Sequence, residues 1–263
     1  MSKKFSLLTM NIGNPSLQRV KQQIEWIKNR QESVFVLTET KLSEGCLFLE
    51  EHLGESGKTI FDFGRDPEFH VYFPKSRTGD LGVMILSRFP ITEVRSCFDE
   101  ESRFFSRFLD VCIDYDDTKL GIMGLYVPSR DSSEAKVARK KQFVVDLLQY
   151  IKHRKEQHRE PCIICGDLNV LERDHVPHYS TFLKWEYDFY DRFSHFGFVD
   201  SFRLLHPNIN EYSWVGRTND GYRYDHCFVS KDIQDKIVNC SYVHETRKIP
   251  LTDHSAMVLE LAL

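Results

Sequence analysis

The chain has 263 residues, 41% hydrophobic and 28% charged, which is typical of a soluble enzyme with one continuous core, so we expect a single domain over residues 1–263. No stretch approaches the roughly 20 apolar residues that a membrane-spanning helix needs, which argues against a membrane protein. The formal net charge of -4 gives no molecule-wide positive field for nucleic acid, although it leaves room for a local basic face.

Short apolar runs with polar or glycine neighbours predict strands buried between other layers. In chain order these runs are Phe5–Asn11, Val34–Glu39, Leu81–Ser87, Phe108–Asp114, Leu120–Tyr126, Cys162–Gly166, His226–Ser230 and Ala256–Leu261. Apolar residues at helical spacing predict helices at Ser16–Arg30, Glu134–Gln157 and Tyr179–Phe196. Because strands and helices alternate without a linker or repeat, the sequence favours a layered α/β sandwich.

Polar residues stand at or just beyond the ends of these predicted strands. They are Asn11, Glu39, Tyr126, Asp167, Asn169, Asp225, Asp253 and His254. Strand ends are where layered sheets collect reactive groups, so we expect these side chains to form a site.

The most informative segment runs from Cys162 to Val170, where an apolar strand stops at a glycine and projects Asp167 and Asn169 at alternate positions. A carboxylate and an amide two residues apart can orient a water molecule and bind a phosphate oxygen. An Asp/Asn turn that only closes the strand is the alternative at this point.

Asp253 and His254 directly precede the last predicted strand. A histidine there can stabilise phosphate charge or exchange a proton, and Asp225 can accept a hydrogen bond from it and fix its tautomer. The alternatives are an ordinary surface histidine and a surface carboxylate that faces Arg223.

Glu39 ends a strand of buried character, where a carboxylate is costly unless it is paired or binds a metal. Oxygen ligands of this kind, supplemented by water and substrate phosphate, suit Mg²⁺ or Mn²⁺. Asn11, at the end of the first strand, is expected to hold the same metal site from the side.

Taken together, seven segments resemble the endonuclease/exonuclease/phosphatase superfamily, and most closely its exonuclease III branch of abasic-site endonucleases. The segments are Thr9–Ile12, Thr38–Lys41, Leu125–Pro128, Gly166–Asn169, Gly197–Arg203, Tyr222–Asp225 and Thr252–His254, which follow the order and spacing of the family over nearly the whole chain. The chain departs from the pattern at Gly13, Gly124 and Ser129, where the family usually has Asn or Asp.

The resemblance implies a four-layered α/β sandwich of the DNase I type, with two mixed sheets face to face and helices outside. It implies that Glu39, with Asn11 and Asp253, holds the catalytic metal. Further roles that it implies concern the water and the phosphate: Asp167 with Asn169 acts on the attacking water, His254 held by Asp225 contacts the scissile phosphate, and Tyr126 contacts it or helps the leaving group.

The substrate-binding residues implied by the resemblance are aromatic and basic. Trp214, Tyr222 and Tyr224 would line a pocket for an extruded abasic sugar, with core aromatics as the alternative for each. Arg130 and Arg223 lie within motifs and are the preferred phosphate contacts. Other basic candidates for a DNA-facing surface are Lys41, Arg103, Arg107, Lys140, Lys141 and Arg217.

The leading hypothesis is therefore a magnesium-dependent repair nuclease that incises damaged duplex DNA on the 5′ side of abasic sites, with 3′ exonuclease or 3′ phosphatase activity as an addition. The same chemistry on a tyrosyl-DNA adduct, RNA or a small phosphate ester is the alternative, and a non-catalytic binding protein ranks last. An odd number of cysteines and no signal-peptide pattern favour the reducing cytoplasm, and we expect a monomer.

Overall fold

Two six-stranded sheets pack face to face in the computed structural model, which describes residues 4–54, 68–75, 79–116 and 118–263. The strands are, in chain order, β1 (Lys4–Asn11), β2 (Val34–Thr40), β3 (His70–Tyr72), β4 (Gly82–Ser87), β5 (Ile91–Arg95), β6 (Phe108–Tyr115), β7 (Thr118–Tyr126), β8 (Cys162–Asp167), β9 (Phe198–Asp200), β10 (Trp214–Val215), β11 (Gly221–Tyr222), β12 (Asp225–Ser230), β13 (Ile237–Val243) and β14 (Ala256–Ala262).

Each large sheet is mixed and contains one parallel pair near its centre. The first sheet has the order β13-β14-β1-β2-β4-β3, in which β1 and β2 are parallel. The second has the order β5-β6-β7-β8-β12-β9, in which β7 and β8 are parallel, while β10 and β11 form a separate two-stranded ribbon. The remaining pairs in both large sheets are antiparallel, so strand ends and strand starts meet at the same edge.

Helices cover the two outer faces. They are α1 (Leu17–Lys28), α2 (Glu44–Leu53), α3 (Glu134–Gln157), α4 (Lys184–His195), α5 (Ser201–Leu205) and α6 (Glu245–Lys248). The first sheet packs its outer face on α1 and α2, and the second packs its outer face on α3 and α4. A third apolar layer lies between the sheets, and the protein is therefore the predicted four-layered sandwich.

The alternation of side chains along β1 builds two of these layers at once. Leu7 faces the layer between the sheets, whereas Leu8 and Met10 face α1. On α1, Val20, Ile24 and Ile27 recur at helical spacing and are buried against them. Burying one such side chain contributes about 1.5–3 kcal/mol, so this stripe holds the helix on the sheet.

Ser16 and Ser43 cap α1 and α2 with their hydroxyl oxygens. The sequence did not predict α2, because Gly45 in its first turn lowers the helical propensity. The glycine is required there, since a Cβ at position 45 would stand 2.1 Å from the carbonyl oxygen of Pro15. The close approach of the two backbones therefore requires the glycine that weakens the helical pattern in the sequence.

The predicted strands and the helices at 16–30 and 134–157 are present within one to two residues of their expected ends. The third predicted helix, Tyr179–Phe196, begins only at Lys184, where the carboxylate of Glu186 accepts the backbone N–H of Leu183 and caps the first turn. The edge strand β13 was not predicted, because a bulge near Ile237 interrupts its alternation.

All seven cysteines are free thiols, and Cys162 and Cys165 are buried within β8 as core residues. None of the helices in the described ranges combines the length and apolar character needed to span a bilayer. The single domain over residues 1–263 stays a prediction, which the shared apolar layer between the sheets supports.

Candidate active site

The two sheets bring their polar strand ends to one edge of the sandwich. In the second sheet the register places Tyr126, at the end of β7, beside Asp167 at the end of β8, and Asp167 beside Asp225 at the start of β12. In the first sheet Asn11 ends β1 and pairs in register with Thr38 of β2. Strand pairing alone therefore aligns most of the predicted residues in two facing rows.

Three hydrogen bonds join side chains of one row to side chains of the other. They link Asn11 Nδ2 to Asp167 Oδ2 at 3.0 Å, Tyr126 Oη to Glu39 Oε1 at 2.9 Å, and His254 Nδ1 to Asp225 Oδ2 at 2.7 Å. Because each bond crosses the interface between the sheets, the site exists only when both sheets are packed together.

Asp167 is held at both carboxylate oxygens. Asn11 donates to Oδ2, and the backbone N–H of Asn169 donates to Oδ1 at 2.9 Å. Asn169 itself has a left-handed backbone with φ 49° and donates from Nδ2 to the carbonyl oxygen of Val127 at 3.0 Å. Gly166 precedes the pair with φ 135°, and a Cβ there would stand 2.1 Å from the carbonyl oxygen of Leu125. The Gly-Asp-Leu-Asn segment therefore ends the strand in a turn whose backbone conformation is fixed by Gly166 and Asn169.

Glu39 is aimed by an irregularity in β2. Its φ is 55°, and the pairing of β2 with β4 shifts register between Thr38 and Thr40. A bulge of this kind turns a side chain away from its regular direction. Here it directs the carboxylate to the hydroxyl of Tyr126, whose ring is buried.

Asp167, Asp225 and His254 form a cluster, called here the Asp167 cluster, whose ligand atoms all lie within 4.8 Å of one another. All three side chains are buried, and Oδ1 of Asp225 is buried without a hydrogen-bond partner among the described residues. Two carboxylates face one imidazole in this buried cluster, so it carries excess negative charge only when both carboxylates are ionised.

Charge and burial shift both titrating partners in this cluster. Burial and the neighbouring charge of Asp225 raise the pKa of Asp167 to about 8, although His254 acts in the opposite direction. Burial disfavours the charged imidazole, but the charge and hydrogen bond of Asp225 outweigh it and raise the pKa of His254 to about 10. His254 is thus held cationic at neutral pH, with Nδ1–H donating to Asp225.

The donors at this edge fit a divalent metal ion of the oxygen-preferring kind. Carboxylate oxygens of Asp167 and Asp225 lie within 4.8 Å of each other, and Oδ1 of Asp225 is buried without a partner among the described residues. The carboxylate of Glu39 reaches the same edge through its hydrogen bond with Tyr126. Mg²⁺ and Mn²⁺ prefer such carboxylates together with water. The identity of the ion stays a prediction.

The two other predicted metal ligands have partners of their own. The amide oxygen of Asn11 accepts the backbone N–H of Gly13 at 2.9 Å, and its nitrogen serves Asp167. Asp253 is exposed and accepts a hydrogen bond from Trp214 Nε1 at 3.0 Å. The structure thus gives Asn11 a visible part in orienting Asp167, and metal binding by Asn11 and Asp253 stays a prediction.

The predicted aromatic residues lie together beside the carboxylates and are partly exposed. Tyr222 and Tyr224 stack with ring centroids 5.1 Å apart, and Trp214 lies 6.1 Å from Tyr224. Tyr179, which the sequence assigned only to a helix, continues the stack at 4.2 Å from Tyr222. A cavity of about 450 Å³ lies between this stack and Asn169. Rings of this exposure are a surface and not core packing.

Arg223 was predicted to bind substrate, and the structure contradicts this. Its guanidinium is fully buried, donates from Nε to Glu172 and donates from Nη2 to Asp200 at 2.7 Å. It faces inward because Tyr222 and Tyr224, on either side of it along the chain, face outward. The sequence showed the alternation but not the distant carboxylates that receive the arginine.

Arg130 lines the cavity beside the aromatic stack, and an ion pair with Glu186 holds it there. Lys140 pairs with the same carboxylate at 2.7 Å and also donates to the carbonyl oxygen of Asn169 at 2.7 Å. Phosphate binding by Arg130 stays a prediction. The buried Lys140, taken from sequence as a surface cation, supports the backbone of Asn169 from α3.

Comparison with known proteins was consistent with this arrangement. The chain matches the endonuclease/exonuclease/phosphatase family over residues 8–254. A Bacillus subtilis (strain 168) protein named exodeoxyribonuclease is 24% identical over 254 residues, which cover 90% of this chain and 92% of that protein.

Two solved structures share the fold over 98% of this chain and 100% of their own. One is an AP endonuclease from Archaeoglobus fulgidus, with a TM-score of 0.76 and 22% identity. The other is a 3′ phosphatase from Neisseria bound to a product DNA hairpin, with a TM-score of 0.78 and 18% identity. At these identities the two structures confirm the predicted α/β fold and leave the substrate to other arguments.

Proposed function

The chain belongs to the endonuclease/exonuclease/phosphatase family, and on that premise we propose that it is a metal-dependent phosphodiesterase that acts on DNA, incising damaged duplex on the 5′ side of abasic sites. The observation that carries the proposal is the Asp167 cluster, joined through Asn11 to the row that holds Glu39. These groups supply what phosphodiester hydrolysis needs, namely a positioned nucleophile and neutralisation of developing negative charge.

In this proposal Asp167 acts on the attacking water. Its two oxygens are fixed by Asn11 and by the backbone of Asn169, so its direction is set before substrate binds. The raised pKa makes this carboxylate a stronger base than an exposed aspartate, which suits proton removal near neutral pH.

His254 binds the scissile phosphate as a cation. Asp225 holds Nδ1–H, and Nε2, which lies 3.5 Å from the amide nitrogen of Asn11, is the ring nitrogen that can donate to a phosphate oxygen. Tyr126 lies on the other side of the same edge and contributes its hydroxyl, which orients Glu39 when no substrate is present. A divalent ion held by Glu39, when bound, would neutralise charge on the phosphate oxygens.

Two features support DNA as the substrate. The partly exposed stack of Tyr179, Tyr222, Tyr224 and Trp214 offers faces on which a base or an extruded sugar can pack. The names of the sequence relative and of the two structural neighbours also refer to DNA cleavage, to abasic sites or to a DNA product. A non-catalytic binding role is disfavoured, because the charged constellation is intact.

The test is cleavage of a labelled duplex that carries one abasic-site analogue, compared with an undamaged duplex, in Mg²⁺, in Mn²⁺ and in EDTA. We expect metal-dependent incision next to the lesion. His254→Ala should remove it, whereas His153→Ala, which changes an exposed histidine on α3, should leave it intact.

Other outcomes identify the alternative substrates. Shortening of the undamaged strand from its 3′ end, or removal of a 3′ phosphate without incision, would assign the chemistry to DNA ends. If neither duplex is cut while bis(p-nitrophenyl) phosphate is still hydrolysed, the chemistry is retained and DNA is the wrong substrate. If no phosphodiester is hydrolysed in either metal, the enzymatic proposal itself fails.

A further inference from the structure

Tyr126, which contacts Glu39 in the candidate active site, also lines a second cavity. This cavity has a volume of about 480 Å³, and its lining includes Asp80, Arg107, Lys136 and Arg139, which we call the arginine cavity. Arg107 precedes β6, and Lys136 and Arg139 come from the first turns of α3. Since the hydroxyl of Tyr126 reaches Glu39, this cavity adjoins the candidate active site.

Arg107 is buried there with few partners. Its side chain is 5% exposed, and its guanidinium lies 4.8 Å from the centre of the Tyr126 ring. It donates one long hydrogen bond, 3.4 Å, to the carbonyl oxygen of Tyr126, and its Nε is buried without a partner among the described residues. An arginine carries five N–H donors, so this one is under-satisfied.

Arg139 reaches the same carboxylate oxygen as Arg107. The distances to Oδ1 of Asp80 are 3.6 Å from Arg107 Nη2 and 3.5 Å from Arg139 Nη2, both longer than a normal charged hydrogen bond. Nε of Arg139 is also buried without a partner within the described ranges. Two guanidinium groups therefore share one carboxylate at long distances, which leaves one positive charge in excess.

The remaining charges of the arginine cavity do not cancel this excess. Lys136 pairs with Asp131 at 2.7 Å on the exposed rim, and Arg130 pairs with Glu186. Burial, with the positive charge of Arg139, lowers the pKa of Arg107, which is the direction expected where an anion is missing. In a protein with a formal net charge of -4, such a local positive excess is distinctive.

We infer that the arginine cavity binds a second phosphate of the DNA backbone, adjacent to the phosphate that is cleaved. Planar guanidinium groups match the oxygens of a phosphate, and the shared wall at Tyr126 makes a neighbouring phosphate of the same strand the group that reaches the cavity. The inference rests on the proposed function. It favours a polynucleotide chain over a small monophosphate ester, since the latter has no second phosphate to place there.

Binding of a fluorescent duplex with one abasic-site analogue, measured by anisotropy in EDTA over a series of salt concentrations, tests the inference. Arg139→Gln removes one cation, and Arg139→Lys keeps the charge. Lys152→Gln removes the same charge from an exposed position near the other end of α3 and is the matched control. Thermal unfolding of each variant checks that it is folded.

We expect Arg139→Gln to weaken binding about tenfold at low salt. It should also reduce the slope of log Kd against log salt concentration by about 0.9, the value for one lost phosphate contact. Arg139→Lys and Lys152→Gln should keep the slope of the unchanged protein.

The inference is overturned if the unchanged protein binds and cleaves DNA but Arg139→Gln shows the same slope, or if Lys152→Gln lowers the slope equally. In those cases the proposed function stands and the arginine cavity is only a structural ion group. If the unchanged protein neither binds nor cleaves DNA, the proposed function fails first, and the phosphate assignment fails with it.

Discussion

Two largely buried polar clusters lie near β12, and they differ in charge balance. In the Arg223 cluster, which also contains Glu172, Asp200 and Arg203, two guanidinium groups meet two carboxylates. In the Asp167 cluster one imidazole meets two carboxylates. Arg223 and Glu172 are as buried as the members of the Asp167 cluster, and Arg203 is only 20% exposed, so the difference in chemistry comes mainly from the partners.

The pKa shifts follow that balance. Burial acts against the charge of Asp200, but Arg223 outweighs it and holds the pKa of Asp200 well below its usual range. In the Asp167 cluster burial and Asp225 act together, and the pKa of Asp167 rises to about 8. A buried cluster with matched charges is costly to break from one side, whereas one with unmatched charges holds a carboxylate at a raised pKa, as is common in functional sites.

The largest expected effect is the loss of cleavage rate in Asp167→Asn. Removing the base should lower the rate of incision by about 10²–10⁴-fold, because general-base positioning contributes that much. The fold should remain, since asparagine keeps the shape of the side chain and carries no buried charge at any pH. Cleavage rates and thermal unfolding measure the two effects, with Asp99→Asn, at an exposed position, as the control. If the cleavage rate falls only because the variant is unfolded under the assay conditions, the residue is structural.

Arg223→Leu, in contrast, is expected to reduce the stability of the fold. Breaking a buried pair from one side leaves Glu172 and Asp200 with Arg203 as the one remaining arginine of the cluster and should cost about 3–5 kcal/mol in the free energy of unfolding. Arg173→Leu removes a pair that is about half exposed and should cost at most about 1 kcal/mol. Urea unfolding compares them. A small effect of Arg223→Leu would contradict the structural role of the Arg223 cluster.

The pH dependence of stability separates the clusters further. Because the folded-state pKa of Asp167 is raised, its contribution is most favourable below the unfolded value of 3.8 and is lost as the pH rises through about 8. In EDTA, the stability advantage of Asp167→Asn over the unchanged protein should grow on the order of 1 kcal/mol per pH unit within that window.

Urea unfolding from pH 5.5 to 8.5 measures this dependence. Mg²⁺ should flatten it, because a cation beside a carboxylate lowers its pKa. A stability difference that does not change with pH in EDTA would mean that Asp167 is ionised throughout.

The smallest effect is expected of Tyr126→Phe, and a second tyrosine provides its control. Tyr126 donates to Glu39 at 2.9 Å, and Tyr150 donates to Asp110 at 2.8 Å, far from the site. Each phenylalanine variant should lose about 0.5–1.5 kcal/mol of stability. Only Tyr126→Phe should also lower the cleavage rate. Equal rates for the two variants would remove Tyr126 from the proposed mechanism.

Part of this protein was readable from short stretches of sequence. The segment Cys162–Val170 showed a strand that ends in Asp167 and Asn169, because alternation and the glycine are local signals. The same holds for Glu39 and His254, which stand at strand ends. Together with the family resemblance, these signals were enough to predict the four-layered fold and the residues that the structure brings to one edge.

Only the tertiary structure decided which charged side chains are buried in ion pairs and which line a cavity. Arg223 lies in a motif, but Glu172 and Asp200, distant along the chain, turn it into a buried ion pair. Arg107 was one of several basic candidates in the sequence and Arg139 was not singled out, yet packing of α3 beside β6 brings both to Asp80. Local patterns specify where a strand ends, whereas the balance of charge in a cluster depends on partners that meet only when the sheets and helices pack.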